Sequence, residues 1–311
     1  MSDIVAWNII TVSVISYNSE KTISETLNSI ASQTYNTKAI EVIIADDGSK
    51  DSTLLIAENW KKKNQSNFYN IIITTHHKNK GVAANCNQAW RLATGFWIKT
   101  IAADDILLPT CIELNINYVN RFPNSSIVFS DMIAFLNDGK YIPIKHDRKK
   151  ILVDHTQQLS QILSSCYLLA PTAFIRKSVL EDVGYADESY SMIEDYPLWL
   201  KCLQKGFVLS YMESDTILYR KGDSLSQQGE KIGNIQYLQS LFSFQKDKIW
   251  PLLPNRMFLK KWDDYLLFKH KTIWIKIFGN KVSIPYLLSQ KSLLLFRPYK
   301  IYRVIKKVIT K

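Results

Sequence analysis

Four short apolar runs, each cut off by polar or acidic residues and each followed by a helix-length segment, limit what this chain can fold into. Thr11-Val12-Ser13-Val14-Ile15-Ser16-Tyr17-Asn18 alternates like a strand, and Ser19-Glu20 opens a helical stretch to about Gln33 with Ile23, Leu27 and Ile30 on one face. Ile40 to Ala45 is a second strand, halted by Asp46-Asp47-Gly48-Ser49; Asp51 or Ser52 can cap the helix that runs to about Lys63. Asn70 to Thr75 leads into Asn79-Lys80-Gly81 and a helix from Val82 to about Thr94. Phe96 to Ile101, bounded by Gly95 and Pro109, ends in Asp104-Asp105. This alternation with short connections predicts an α/β fold: a Rossmann-like, mostly parallel sheet with helices on both faces. Right-handed crossovers then line up the loops after the first, second and fourth strands along one edge. Open α/β sheets bind their ligands there.

The acids on that edge have two readings each. Unpaired buried charge is very costly, so Asp104 and Asp105 need a partner. A hard divalent cation that also touches a substrate phosphate supplies one; the alternative is a helix start, with either acid as N-cap before Ile106. Asp46-Asp47-Gly48-Ser49 is also an ordinary turn. Glu194-Asp195 is also a cap and first-turn acid pair, because Pro197 keeps it in the loop or first turn of its helix. His76-His77 has no metal-ligand spacing. His146 and His155 sit among charged residues and are expected in solvent, whereas Trp90 and Trp97 are expected in the core.

The second half is less regular. Ile127 to Leu136 reads as a strand, Asp138-Gly139 as a hairpin turn and Lys140 to Ile144 as the return. Helices are expected over Ser160 to Leu169 and Glu188 to Lys205, and separate strands over Phe207 to Tyr211 and Thr216 to Arg220. Cys86, Cys111, Cys166 and Cys202 lie far apart without a CxxC pair, which argues against a zinc site or a disulfide framework. No secretory signal is expected, since Ile9 to Ser16 is interrupted by Thr11 and Ser13. No apolar run reaches the roughly 18 residues of a membrane span.

Charge is concentrated at one end. From Arg256 to Lys311 there are 14 Lys or Arg against Asp263 and Asp264, a balance of +12, while the remainder stands at −1. Trp274, Ile275, Ile277 and Phe278 alternate with Lys271, Lys276 and Lys281. Pro298 can start a last helix with Ile301, Ile305, Val308 and Ile309 opposite Lys300, Arg303, Lys306 and Lys307. This pattern suits an interfacial helix on anionic lipid, as well as a basic solvated face packed on the domain. No nucleic-acid-binding motif occurs, and no nucleic-acid partner is expected.

Six motifs in order resemble the inverting glycosyltransferases of family 2, which have the GT-A fold. They are Val12 to Asn18 (VSVISYN), Ala45 to Thr53 (ADDGSKDST), Asn79 to Asn87 (NKGVAANCN), Ile101 to Pro109 (IAADDILLP), Ile193 to Asp195 (IED) and Tyr219 to Ser226 (YRKGDSLS). The resemblance implies a GT-A transferase domain over residues 1–226 and a basic, aromatic-rich helical extension over 227–311. It implies that the backbone around Ser16 and Tyr17 lines the nucleotide base, and that Asp46 and Asp47 include the acid accepting the uracil N–H. Asn79, Lys80 and Gly81 would flank base and ribose, and Asp104 would bind Mg²⁺ or Mn²⁺ through the donor diphosphate, with Asp105 assisting it or positioning the sugar. Asp195 would be the catalytic base, with Glu194 holding the acceptor or the base. Arg220, with Lys221, would close over the diphosphate as a mobile flap.

The implied activity is hexosyl or N-acetylhexosaminyl transfer from a UDP-sugar to a lipid-diphosphate-linked saccharide, in O-antigen or capsule assembly. The enzyme would be cytoplasmic, peripheral on the inner face of the membrane with an anionic membrane surface as partner. Alternatives are a protein or soluble acceptor, or a non-catalytic lipid- or nucleic-acid-binding protein on a degenerate transferase scaffold. Three departures motivate the last: Ala102 replaces the first acid of the metal-binding motif, Cys86 replaces the common arginine, and the histidine often found near Tyr219-Arg220 is absent.

Overall fold

The inner strands of the parallel part of the sheet, β1 (Ile10–Ser16) and β2 (Ile40–Asp46), are buried almost end to end, as strands covered on both faces must be. These features come from a computed structural model that describes residues 9–136, 139–221 and 231–302. The helices α1 (Ile23–Ala31), α2 (Thr53–Asn64) and α3 (Val82–Leu92) connect β1 and β2 with β3 (Asn70–Thr75) and β4 (Trp97–Ala102). These four strands are parallel in the order β3-β2-β1-β4. The register pairs Ser16 with Asp46, Asp46 with Thr75 and Ile15 with Ala102, so all four strands end level.

That register is fixed partly by one buried carboxylate. Glu41 lies inside β2 and accepts from the Thr11 hydroxyl at 2.6 Å and from the Thr94 N–H and hydroxyl, both at 2.8 Å. A buried acid so satisfied ties β1 and the approach to β4 onto β2. Gly95 lets the approaching backbones meet, since a Cβ there would stand 2.5 Å from Thr11 N.

Beyond β4 the sheet becomes mixed. Its elements are β5 (Ile106–Leu107), α4 (Cys111–Arg121), β6 (Ile127–Leu136), β7 (Tyr141–Ile144), α5 (Arg148–Ile151), α6 (His155–Ser164), β8 (Phe174–Arg176), α7 (Lys177–Val183), α8 (Asp195–Gln204) and β9 (Leu209–Lys221). The nine strands form one sheet, β3-β2-β1-β4-β8-β6-β9-β5, with β7 paired to β6. Trp97 stacks on Phe174 at 4.9 Å where β4 meets β8, and both Trp90 and Trp97 are in the core as expected.

Several local expectations are corrected. The two strands foreseen over Phe207–Arg220 are one strand, β9, because it pairs with β6 throughout and absorbs its extra residues in irregularities opposite Phe129–Met132. The helix placed at Ser160 to Leu169 begins earlier, where the Asp154 side chain caps it by accepting from Gln157 N at 2.9 Å, and ends at Ser164. His146 is buried rather than solvated. Its backbone N–H donates to Asp131 at 3.0 Å, its Nε2 accepts from Leu169 N at 3.1 Å, and its ring lies against Phe129 and Tyr211. Burial holds its pKa below the usual histidine value. The charged neighbours that suggested solvent, Lys145 and Asp147, point outward. His155 is half-buried, with Nε2 2.6 Å from Leu203 O.

The chain divides into two compact units, Met1–Lys221 and Gly222–Lys311. The second is helical, with α9 (Ile235–Phe244), α10 (Phe258–Phe278) and α11 (Ile284–Leu294). Its own core gathers Ile232, Leu238, Ile275 and Tyr286, with Phe242 stacked on Phe268 at 4.2 Å. Among the described residues no helix is long and apolar enough to cross a membrane. Asp138 of the expected hairpin turn, Gly222 to Ser226 of the last motif, and the end of the expected last helix from Arg303 onward lie outside the described residues.

Candidate active site

The level carboxyl ends of β1 to β4 collect most of the singled-out residues, but the structure gives the adjacent acids different work. Asp46 is fully buried. It accepts from Gly48 N at 3.1 Å, Ser49 N at 2.8 Å, the Ser49 hydroxyl, Ser16 Oγ at 3.2 Å and Thr75 Oγ1 at 3.2 Å. It therefore ties together the ends of β1, β2 and β3 and shapes the turn after β2. Asp47 reaches across to the next loop, accepting from Lys80 N and Gly81 N, each at 2.8 Å. Burial raises its pKa against those two N–H groups. Each Asp47 oxygen keeps a second lone pair, because a carboxylate accepts about four hydrogen bonds. Beside this clamp Tyr17, Asn79 and Lys80 are exposed.

The start of α3 is the hinge between this loop and the catalytic candidates. Asn85 donates to Ala45 O at 2.9 Å and Ser16 O at 3.3 Å, pinning α3 to the ends of β2 and β1. Asn87 donates to Ala186 O at 3.0 Å and Glu188 Oε1 at 2.7 Å and accepts from Ala186 N at 2.9 Å, which fixes the segment leading into α8. Gly81, at φ +95°, lies against Ser191, whose carbonyl oxygen would be 2.3 Å from a Cβ. Gly81→Ala is expected to destabilise the protein by about 1–3 kcal/mol and to lower turnover, because it must displace the backbone of Ser191. Thermal melts and initial rates check this.

Glu194 precedes α8 and Asp195 is its first residue. Both side chains are half-buried. Burial, then the charge of Asp195, pushes Glu194 up to about 8. Burial also raises Asp195, opposed by the Tyr196 N–H that donates to it at 2.7 Å. Cys86, buried in α3, has its thiol pushed up first by burial and then by Glu194, Asp195 and Asp47. Those three carboxylates thus stand within electrostatic reach of one thiol. Two neighbouring acids in such surroundings resist ionising together, and of the two it is Glu194 that the charge of its neighbour raises further.

Asp104 and Asp105 sit between β4 and β5 in a strongly braced turn. Thr22 of the α1 approach donates to Ala103 O at 2.8 Å, and Thr26 donates to Asp105 O at 2.7 Å. Asp105 is buried and accepts from Arg220 N at 2.9 Å; burial, then the charge of Asp104, lifts it to about 8. Asp104 keeps part of its side chain in contact with solvent and is also raised by burial. The carboxylate of Asp104, an oxygen donor that reaches solvent, suits a hard cation such as Mg²⁺ or Mn²⁺, which would draw its other ligands from water and phosphate. Among the described residues no group of three or more His, Cys, Asp or Glu could hold a metal alone.

Arg220, expected over the diphosphate, is braced within the sheet in this structure. It lies in β9, paired with Phe135 of β6. Its Nε donates to Asp104 O at 2.9 Å, its Nη2 meets the Glu25 carboxylate, and its guanidinium covers the Phe135 ring at 4.5 Å. The pairing of β9 holds it as a brace.

Lys99 was not anticipated. Fully buried in β4, it donates through Nζ to Pro171 O at 2.7 Å and Ala173 O at 3.3 Å. Burial lowers it to about 8, opposed by Cys111 and Asp105. Its signal in the sequence is the single charge inside a mostly apolar strand.

Comparison with known proteins agrees with this geometry. The profile of glycosyl transferase family 2 matches residues 11–184. The Escherichia coli UDP-Glc:alpha-D-GlcNAc-diphosphoundecaprenol beta-1,3-glucosyltransferase WfaP is 27% identical over 199 residues, 64% of this chain and 71% of WfaP. The crystal structure of S. aureus TarS superposes with a TM-score of 0.60 at 20% identity, covering 89% of this chain but only 46% of TarS. Mannosyltransferase PcManGT from Pyrobaculum calidifontis, in complex with GDP-Man and Mn²⁺, gives a TM-score of 0.58 at 17% identity, covering 96% of this chain and 84% of that one. With the matched profile spanning more than half its length, on a sheet whose aligned ends carry the motif acids, the chain belongs to glycosyl transferase family 2 and is a glycosyltransferase of the GT-A fold.

Proposed function

We propose that the protein transfers a hexose or N-acetylhexosamine from a UDP-sugar, with inversion, to a saccharide on a lipid diphosphate, in surface polysaccharide assembly such as O-antigen or capsule. It would work at the cytoplasmic face of the membrane, on an anionic surface. The observation that carries the chemistry is the raised Glu194–Asp195 pair at the start of α8, joined through α3 to the Asp47 clamp. WfaP supports the lipid-linked acceptor by its named substrate, and a TarS fragment in complex with UDP-GlcNAc supports the uridine donor.

In this reading Asp47 accepts the uracil N–H with a spare lone pair, while Tyr17, Asn79 and Lys80 border the base and ribose. Asp104, whose side chain reaches solvent, would hold Mg²⁺ or Mn²⁺, while Asp105 stays bonded to Arg220 N. The cation supplies positive charge for the departing diphosphate. Asp195, ionised while Glu194 keeps its proton, takes the proton of the incoming hydroxyl. Attack from the face opposite the leaving group inverts the anomeric carbon. Arg220 holds the metal-side turn in place.

Thermal melts with UDP, GDP, CDP and ADP, each with and without Mn²⁺, test the reading. UDP with Mn²⁺ at saturating concentration is expected to raise Tm by about 5 °C or more. Stabilisation by GDP in place of UDP would reject the uridine donor, and no shift with any nucleotide would reject the site.

A further inference from the structure

Helix α10 joins its unit's core through Ile275 and Phe268, yet it also turns a second set of apolar side chains toward water. Among its buried positions are Lys260, 3% exposed, and Asp263, 2% exposed, together with Thr272. These polar groups have partners on the inside: Lys260 Nζ meets Asp264 Oδ2 at 2.6 Å, and Asp263 accepts from Lys300 N at 2.7 Å. The outward stripe runs through Phe258, Trp262, Tyr265, Lys269, Ile273 and Ile277, at spacings of three or four residues. Ile277 is 67% exposed and Phe258 63%. A water-facing helix places its polar residues on the outside, and an apolar stripe roughly 28 Å long at 1.5 Å per residue is larger than isolated surface residues explain.

The stripe continues onto the next helix. Trp262 Nε1 donates to Phe296 O at 3.1 Å, which brings the turn after α11 beside the N-terminal part of the stripe. Leu295 there is 76% exposed, and Ile284 and Leu288 of α11 are also exposed. Lys269, Lys276, Lys281 and Lys291 stand exposed among these apolar side chains.

We propose that the outward stripe of α10, with Ile284, Leu288 and Leu295, is the surface that enters the headgroup region of an anionic bilayer, with α10 lying in the membrane plane. This rests on the membrane-surface reading given above and names the part of the chain that carries it. Charge decides the occupant. A two-fold contact with a second copy would set these lysines against a like-charged set, whereas anionic headgroups neutralise them. Trp262 and Tyr265, each with an apolar body and a polar edge, suit the depth where headgroups meet acyl chains. Helices of this length and mixed character lie on a membrane and do not cross it.

The test uses the full chain and vesicles of phosphatidylcholine with or without phosphatidylglycerol. Sedimentation should show the wild type on the anionic vesicles. The variant Ile273→Ser/Ile277→Ser/Leu295→Ser, altered only at exposed positions, should bind them at least about tenfold more weakly with an unchanged melting temperature. Lys269→Gln/Lys276→Gln/Lys281→Gln should lose most of its preference for phosphatidylglycerol. Wild type that binds no vesicles would overturn the membrane reading and this inference with it. Wild type that binds while the serine variant binds equally well would overturn the inference alone and place attachment elsewhere in the chain. Conversion of a wild-type dimer to a monomer by the serine substitutions, with vesicle binding intact, would assign the face to a second copy and overturn it as well.

Discussion

Asp195→Asn is expected to lower turnover by about 10²–10⁴-fold, the range for removing a general base, while UDP binding stays unchanged. The isosteric amide keeps an oxygen to accept the Tyr196 N–H, so the start of α8 should hold its shape. Glu194→Gln provides the contrast through pH. Burial and the Asp195 charge raise Glu194 from 4.5 to about 8 in the fold. Between those values the native state binds more protons than the unfolded state, so this group makes stability fall as pH rises from about 4.5 through 8. Glu194→Gln should remove that slope and stabilise the protein at pH 8 by about 1 kcal/mol, roughly 2–4 °C, a figure discounted for the part of the side chain that meets water. Melting curves from pH 5 to 8.5 would show it. Equal slopes in the variant and the wild type would mean that Glu194 carries no such proton, and unchanged turnover in Asp195→Asn would end its assignment as the base.

Asp104→Asn is expected to abolish the Mn²⁺-dependent part of stabilisation by UDP and to lower kcat/KM by about 100-fold or more. The metal-independent part, owed to the Asp47 side of the site, should remain. The distinction follows from placement, since Asp104 still reaches solvent, whereas Asp105 is buried and committed to Arg220 N. Mn²⁺ titrations of the variant and the wild type at fixed UDP separate the two contributions. Undiminished response to Mn²⁺ would show that the cation is held by the donor alone, which the alanine at position 102 makes a real alternative.

The half of the sheet from β1 to β4 was legible in the sequence because its information is local. Each strand is an apolar run, each run ends at a polar turn, and parallel pairing with right-handed crossovers brings the turns to one edge. The mixed half was less so. Nothing local to Glu213 and Ser214 tells that β9 runs through them; the reason lies in β6, more than 80 residues away, which pairs along the whole length. His146 carries charged neighbours that point elsewhere, so its own burial against Phe129 and Tyr211 is a tertiary fact. The sequence also placed Asp46 and Asp47 side by side without distinguishing them. Only the fold shows that one is spent on strand ends and the other on the loop that begins α3. Arg220 is the same lesson in reverse, since its place beside a motif does not announce the two side-chain hydrogen bonds and the Phe135 ring that surround it in the fold.

The contact of Gly81 with Ser191 has a consequence for anyone wishing to retarget this enzyme. The turn at residues 79–81 touches Asp47 on one side and the approach to Glu194–Asp195 on the other. On the proposed assignment, exchanging that turn for one that favours another nucleotide would therefore misalign the proposed proton acceptor, and a library built there is expected to return mostly inactive clones. If the proposed donor site holds, Tyr17, exposed just after β1 and touching neither Gly81 nor Ser191 through any bond described above, is the better position at which to vary donor preference.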